Sequence, residues 1–305
     1  MSMLAIDGGP SIRTCPFPPR NLLGTEEKAA ALALFDQALA SGNAFGYNGA
    51  SEQQYEQDFV SAMGGGFADA VNSGSNAVYC ALGALRIDAL SEVIVPAITD
   101  CGGIMPVALM GLVPVVADCD PRSYNTCAEE IEPLITERTR AVVVAHIAGD
   151  AVDMDPIMEL ARAHDLYVVE DCAQAHGAVY RGRRCGTIGH IACFSTMFGK
   201  HHCTGGQGGV VYTRDEALHW QGRQFADRGK PFGIEGASGN VVAGLNCNLN
   251  DLSAAIGGAQ LRKLPTILAN RITVGDTIRD AIAGNPAVHV GWQVPESQSC
   301  YWFLR

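Results

Sequence analysis

Apolar and polar positions follow two spacings along most of this chain. Short apolar runs at Phe67–Val71, Glu92–Pro96, Val113–Asp118, Ala141–His146 and Leu166–Asp171 read as strands. Segments of helical spacing lie between them. The clearest covers 153–164, where Met154, Ile157, Met158 and Ala161 fall on one face. Further helices are predicted from Thr25 to about Ala40 with Thr25 as N-cap, and from a Ser51 cap to about Met63. Others are predicted at about 77–85, 101–111 and 127–135. The run Leu166–Asp171 is apolar on both faces, as a central parallel strand is. Strands alternating with helices over 67–171 predict an α/β fold, a mostly parallel sheet covered by helices. Ligands of such sheets gather beyond the carboxyl ends of the strands.

Past residue 171 the pattern predicts strands at Ile191–Ser195 and Val210–Thr213 and a helix to about Asp227. A long Gly-, Asn- and Pro-rich loop over 228–248 follows, a kind of loop that usually carries function. A helix of small residues starts at Asp251, and another is predicted at about 266–283. Residues 1–24 read as an extended arm. The layout expected is this arm, a large domain over 25–265 and the start of a small C-terminal α/β domain over 266–305.

Composition narrows the function classes. The chain has 305 residues, 48% of them hydrophobic, and a formal net charge of −11. A basic face for nucleic acid is not expected. Eleven cysteines are scattered without a Cys-x-x-Cys pair, which fits reduced thiols in the cytoplasm. No apolar window is long enough for a membrane span. The opening Met1–Ile6 is too short and lacks the basic start of a signal peptide.

Candidate chemistry clusters between Ala141 and Thr213. Asp171 ends a buried strand, and Gln174 and His176 follow it. Ser195 ends another, with Lys200 just past it and Gly205-Gly-Gln-Gly-Gly209 beyond. On residues alone, Lys200 reads equally as a solvated loop lysine, Asp171 as a helix cap and Gln174 as a polar loop residue. Ser73-Gly74-Ser75, between a strand and a helix, reads as a structural turn or a phosphate cradle. His201, His202 and Cys203 are adjacent and cannot easily converge on one ion, so no metal is expected.

The composite Val169-Glu-Asp-Cys-Ala-Gln-Ala-His-Gly177, Phe194-Ser195, Lys200 and the Gly-Gly that follows resembles the DegT/DnrJ/EryC1/StrS sugar aminotransferases. The resemblance covers nearly the whole chain. It implies a fold-type I enzyme with pyridoxal phosphate as cofactor. Lys200 would form the Schiff base, and Asp171 would pair with the ring nitrogen. Gln174 would lie near the 3-hydroxyl, and Gly74, Ser75 and Ser195 would hold the phosphate. Asn248 would reach across a homodimer to the neighbouring copy's phosphate. The amine would pass from glutamate or glutamine to a keto-sugar, often nucleotide-linked, or to a keto-cyclitol. Relatives with a histidine in place of the lysine are dehydratases, and His201 and His202 adjoin Lys200. A non-catalytic protein of this fold is the other alternative. His176 reads as a packed or a catalytic histidine.

Two positions depart from the family pattern. Asp100 stands where an aromatic ring usually stacks on the cofactor, and Gln207 stands where an acid is common. Family members also continue well past Arg305, so the sequence reads as a fragment with an incomplete small domain, ending inside a strand.

Overall fold

The apolar runs become strands of one seven-stranded sheet in this computed structural model, which describes residues 3–17 and 22–305. In chain order the strands are β1 (Phe67–Val71), β2 (Glu92–Pro96), β3 (Val113–Ala117), β4 (Thr139–Ala145) and β5 (Tyr167–Asp171). Then come the short β6 (Val179–Tyr180) and β7 (Arg183–Arg184), followed by β8 (Ile191–Ser195), β9 (Gly209–Thr213) and β10 (Ser297–Gln298). The main sheet has the order β1-β9-β8-β5-β4-β2-β3, and β10, β6 and β7 form a small separate sheet.

Strands β3, β2, β4, β5 and β8 pair in parallel. Strand β9 runs against both its neighbours, β8 and β1. The carboxyl ends of β1, β2, β4, β5 and β8 therefore share one edge of the sheet. The start of β9 joins them there, since Gly209 pairs with both Val71 and Ser195.

Side-chain alternation explains why the runs look apolar on both faces. Val93, Val95, Val143 and Val169 enter one core, and Ile94, Val142, Val144 and Val168 enter the other. The helices are α1 (Thr25–Ser41), α2 (Ala50–Met63), α3 (Gly74–Ala84), α4 (Met105–Leu109), α5 (Ala128–Ile131), α6 (Met154–Ala163), α7 (Glu216–Ala226) and α8 (Asp251–Ile282). Val78 and Leu82 of α3, Val107 of α4 and Leu218 of α7 cover the first face. Phe59 of α2, Ile157 of α6 and Leu261 of α8 cover the second.

Several local expectations change. The cap of α1 is Gly24, whose N–H donates to Glu27 Oε2 at 2.6 Å, so Thr25 is already helical. The cap of α2 is Gly49. The first-turn amides of Ser51 and Glu52 donate to Asp251 Oδ1, both at 3.1 Å. A carboxylate from another helix thus does the work expected of Ser51. The two helices predicted on either side of residue 265 are one, α8, with Pro265 inside it. Leu261, Leu264 and Leu268 all pack on the core. That burial, about 1.5–3 kcal/mol per fully buried side chain, offsets a proline penalty of about 3 kcal/mol. Residues 303–305 are not a strand. Nearby, Cys300 and Trp302 donate singly to the carbonyls of Gly149 and Ala148 instead of forming a ladder. Residues 3–17 are exposed apart from half-buried Gly9, with one 3-10 turn at Ala5–Asp7. The remaining residues of the expected arm up to 21 lie outside the described residues. Among the described residues, no helix is long and apolar enough to cross a membrane.

Glu52 shows where this fold carries electrostatic strain. Its Oε2 accepts from the Asn48 N–H, while Oε1 is buried without a partner. Burial, joined by Glu56 and Asp69 nearby, pushes its carboxyl up to about 8, against the pull of the Asn48 N–H and Arg223. A carboxyl raised in the folded state stabilises most below its unfolded value and loses that contribution as pH rises through the folded one. Glu52→Gln should therefore match the parent at acid pH. At pH 8 it should be the more stable protein by on the order of 3 kcal/mol in urea melts. Equal stability at both pH values contradicts this.

Candidate active site

The shared edge of strand ends opens into a cavity of about 230 Å³. Eight of the residues singled out from sequence line it: Ser73, Gly74, Ser75, Asp100, Asp171, Ser195, Lys200 and Gln207. Gln174 lines a small recess beside it, together with Asp171 and Lys200. Asn248 lines neither. Its Nδ2 donates to Asn246 Oδ1 at 2.7 Å, while its backbone bridges to Val71.

The start of α3 and the Ser195 hydroxyl meet in the cavity lining. Ser73 caps α3 by accepting from the Asn76 N–H at 3.1 Å. The first-turn amides of Gly74 and Ser75 have no intrahelical acceptor, and the positive end of the helix dipole lies with them. Ser195 closes the same corner. A Cβ on Gly74 would sit 2.6 Å from Ser195 Cβ, so glycine is what lets the helix start approach the end of β8. His176 fixes this strand end from behind. Its Nε2–H donates to the Ser195 carbonyl at 2.7 Å, and burial holds the ring's pKa down to about 4. His176 is therefore a neutral, packed histidine.

The cavity also carries a titrating pair. Asp171 closes β5 and accepts from the Ala173 N–H at 2.9 Å. Burial pushes its carboxyl up, opposed by that N–H and by Lys200. A Cβ on Gly103 would lie 3.0 Å from Asp171 Oδ2, so the turn after β2 leaves room beside the free oxygen. Lys200 is 9% exposed. Burial pushes its amine down, opposed by Asp171 and Asp100. Asp100 is itself committed in part, since its Oδ1 accepts from the Gly102 N–H at 2.9 Å.

His201 and His202 lie away from the cavity. His201 Nε2–H donates to the Cys300 carbonyl at 2.9 Å, and His202 Nε2 bonds the Tyr55 hydroxyl at 3.0 Å. Burial holds both rings down at about 3. Lys200 lines the cavity and its recess, and its two histidine neighbours line neither. Among the described residues, His146, Glu170 and Cys172 bring ligand-type atoms within 4.8 Å of one another. Glu170 is already saturated, however. It accepts from His146 Nε2 at 3.0 Å and from the amides of Gly186, Ile188 and Gly189 at 2.6–2.7 Å.

The sequence profile of the DegT/DnrJ/EryC1/StrS aminotransferase family matches residues 25–305. The chain belongs to this family. GDP-perosamine synthase of Caulobacter vibrioides is 39% identical over 218 residues, which is 72% of this chain and 58% of that one. L-glutamine:2-deoxy-scyllo-inosose aminotransferase of Streptomyces lividus is 36% identical over 276 residues, 86% of this chain and 63% of that one. The chain thus spans about three fifths of the length of these two curated relatives. The aminotransferase from Psychrobacter cryohalolentis superposes with a TM-score of 0.85 at 34% identity, covering 94% of this chain and 76% of that one. The fold is the fold-type I architecture of these enzymes.

Aminotransferases of the DegT/DnrJ/EryC1/StrS family use pyridoxal phosphate. The residues here fit that group. The amides of Gly74 and Ser75 with the Ser195 hydroxyl suit its phosphate, Asp171 suits a protonated ring nitrogen, and Lys200 suits its aldehyde. Sequence reading missed Val78, Gly102, Gly103, Ala173 and Met197 in the lining. Each follows a strand end or helix start already singled out, so their position was readable even though their side chains carry no chemical signal.

Gly74→Ala should disturb this cradle. The added Cβ must part α3 from β8, an overpacking cost of about 1–3 kcal/mol. A titration of the cofactor-free protein with pyridoxal phosphate should show at least tenfold weaker binding. Unchanged affinity would place the phosphate elsewhere.

Proposed function

We propose that this chain holds pyridoxal phosphate in an aminotransferase that moves an amino group from glutamate or glutamine to a keto-sugar or keto-cyclitol. The observation carrying this reading is that Lys200 and Asp171 line one cavity whose far end is an amide-and-hydroxyl cradle. The names of the curated relatives, which include a glutamine-dependent scyllo-inosose aminotransferase, support the substrate class. We assign the cavity to a large unit over 25–265 and residues 266–305 to a small one.

Bound pyridoxal phosphate supplies an aldehyde for amines and a ring that accepts electrons. The chain's own residues do the rest. Gly74, Ser75 and Ser195 anchor the phosphate and so fix the ring's direction. Asp171 holds a proton on the ring nitrogen, because a buried carboxylate favours a cation beside it. Gln174 accepts from the Ala148 N–H at 2.8 Å, which orients its amide at the edge of the recess. Lys200 would hold the aldehyde, and its amine, when free, would take a proton from the substrate Cα and return it. Burial lowers the amine's proton affinity, which suits that role. The same buried lysine supports aminotransfer over dehydration and over a non-catalytic role.

We place Asn248 at the phosphate of a second copy, so that a homodimer completes each site. The support is the long loop 228–248 and the absence of Asn248 from its own cavity lining. The free thiols of all eleven cysteines fit the cytoplasm.

Borohydride reduction of the cofactor-loaded protein should fix a pyridoxyl group on the peptide containing Lys200. Label on Lys28, Lys230 or Lys263 would refute the assignment. Asp171→Asn, nearly isosteric, should keep the fold and retain cofactor but lower turnover by several orders of magnitude. Parent-like turnover would remove the electron-sink role.

The shared site has its own test. Mixing Lys200→Ala with Asn248→Asp subunits should restore part of the activity that each lacks alone, because one site of the hybrid keeps both native groups. A monomer that retains cofactor, with no rescue on mixing, would end the homodimer reading.

A further inference from the structure

The indole face of Trp302 lies over the amine of Lys200, with Nζ 4.6 Å from the ring centroid. We propose that Trp302 is a positioning residue for this site: its ring seats the Lys200 amine and steadies the amine's charged form while it carries the transferred proton. This deepens the function proposed above and rests on Lys200 being the reactive amine.

The ring is held firmly. The Trp302 N–H donates to the Ala148 carbonyl at 2.7 Å, and the Trp302 carbonyl accepts from Arg271 Nη2 at 2.7 Å. The indole also packs on His201, with centroids 5.5 Å apart. Two residues earlier, the Cys300 N–H donates to the Gly149 carbonyl at 3.1 Å, and the Cys300 carbonyl receives His201 Nε2–H at 2.9 Å. The Cys300 thiol reaches the Gln174 carbonyl at 3.3 Å. The segment 300–302 thus fastens the turn after β4, the stretch carrying Gln174 and the stretch carrying Lys200. A ring ordered in advance costs nothing to place when the amine becomes charged.

The chemistry of an aromatic face suits this position. The groups around the Lys200 amine are Asp171 at the end of β5, Asp100 after β2, His146 in the adjoining recess and His176, with His201 against the Trp302 ring and Arg271 at the Trp302 carbonyl. His176 and His201, with values of about 4 and about 3, are neutral and add no repelling positive charge. Burial alone disfavours the ammonium form. A third carboxylate would restore it but would also compete for the proton. The indole attracts the cation through its ring quadrupole and has no basic atom to take the proton. It therefore stabilises the charged amine without diverting what the amine must deliver.

The test reads the amine directly, without turnover. The chain has four lysines, Lys28, Lys200, Lys230 and Lys263. In the whole cofactor-free chain with ¹³C-labelled lysine, the Cε shift of each can be followed against pH, and Lys200→Arg identifies its signal. Trp302→Leu should lower the Lys200 midpoint by about half to one pH unit. Trp302→Phe, which keeps a weaker aromatic face, should lower it by less, and the Lys28 midpoint should stay fixed. Unchanged Lys200 midpoints in both variants overturn the proposal and leave Trp302 a packing residue. If Trp302→Leu fails to fold, the comparison of parent with Trp302→Phe decides, and an unshifted midpoint there overturns it equally. This outcome is separate from the function itself. Borohydride label on Lys200 with an unmoved midpoint removes only the role of Trp302, whereas label on another lysine removes the aminotransferase assignment.

Discussion

A carboxylate buried at the end of a central strand, left short of donors, is the constraint on which the site depends. Adjacent residues of β5 make the contrast. Glu170 and Asp171 point to opposite faces of the sheet, as neighbours on a strand must. Glu170 accepts from three backbone amides and a histidine, and those donors hold it below the usual carboxylate range despite full burial. Asp171 accepts from the Ala173 N–H and turns its second oxygen toward the cavity. An under-satisfied buried carboxylate costs several kcal/mol unless a cation compensates it. Lys200 compensates in part, and a protonated ring nitrogen would complete the pairing. The strand thus carries one acid that holds the structure together and one kept available for a ligand.

The sheet topology makes that arrangement reachable. Parallel strands bring their carboxyl ends to one edge, so residues far apart in sequence meet there without long side chains. The reversal at β9 adds the last wall. It brings the Gly205–Gly209 loop back to the same edge, and Gly209 packs so closely that a Cβ would lie 2.5 Å from the Ser73 carbonyl. The Ser73-Gly74-Ser75 turn is therefore pressed between β9 and the end of β8. Its amides are fixed by main-chain packing and not by flexible side chains, which is what a preorganised anion site needs.

Most of this was legible in the sequence because it follows from period and chain order. Strand runs apolar on both faces announced a parallel sheet, and Asp171, Ser195 and Lys200 stood just at or past their ends. What stayed hidden depends on contacts between distant segments. Asp251 caps α2 from another helix, so local sequence favoured Ser51 instead. Pro265 looked like a break, but the leucines on both sides of it pack on the core and carry α8 through. Trp302 carries no motif, and its place over Lys200 arises only after the chain returns to the turn beyond β4. The three buried histidines near Lys200 invited a catalytic or metal reading, because sequence shows their chemistry but not their burial.

That burial bears on how the site handles protons. With His176, His201 and His202 held at about 4, 3 and 3, none of them takes up a proton near neutral pH. They act as packing and as N–H donors to the backbone of the strand end and of Cys300, or as partner to Tyr55. The titratable side chains in the cavity lining are Lys200, Asp171 and Asp100. Burial moves Lys200 down and Asp171 up, which narrows the gap between acid and base. The same low-polarity surroundings that make Asp171 costly to bury therefore also tune the lysine that faces the cavity with it.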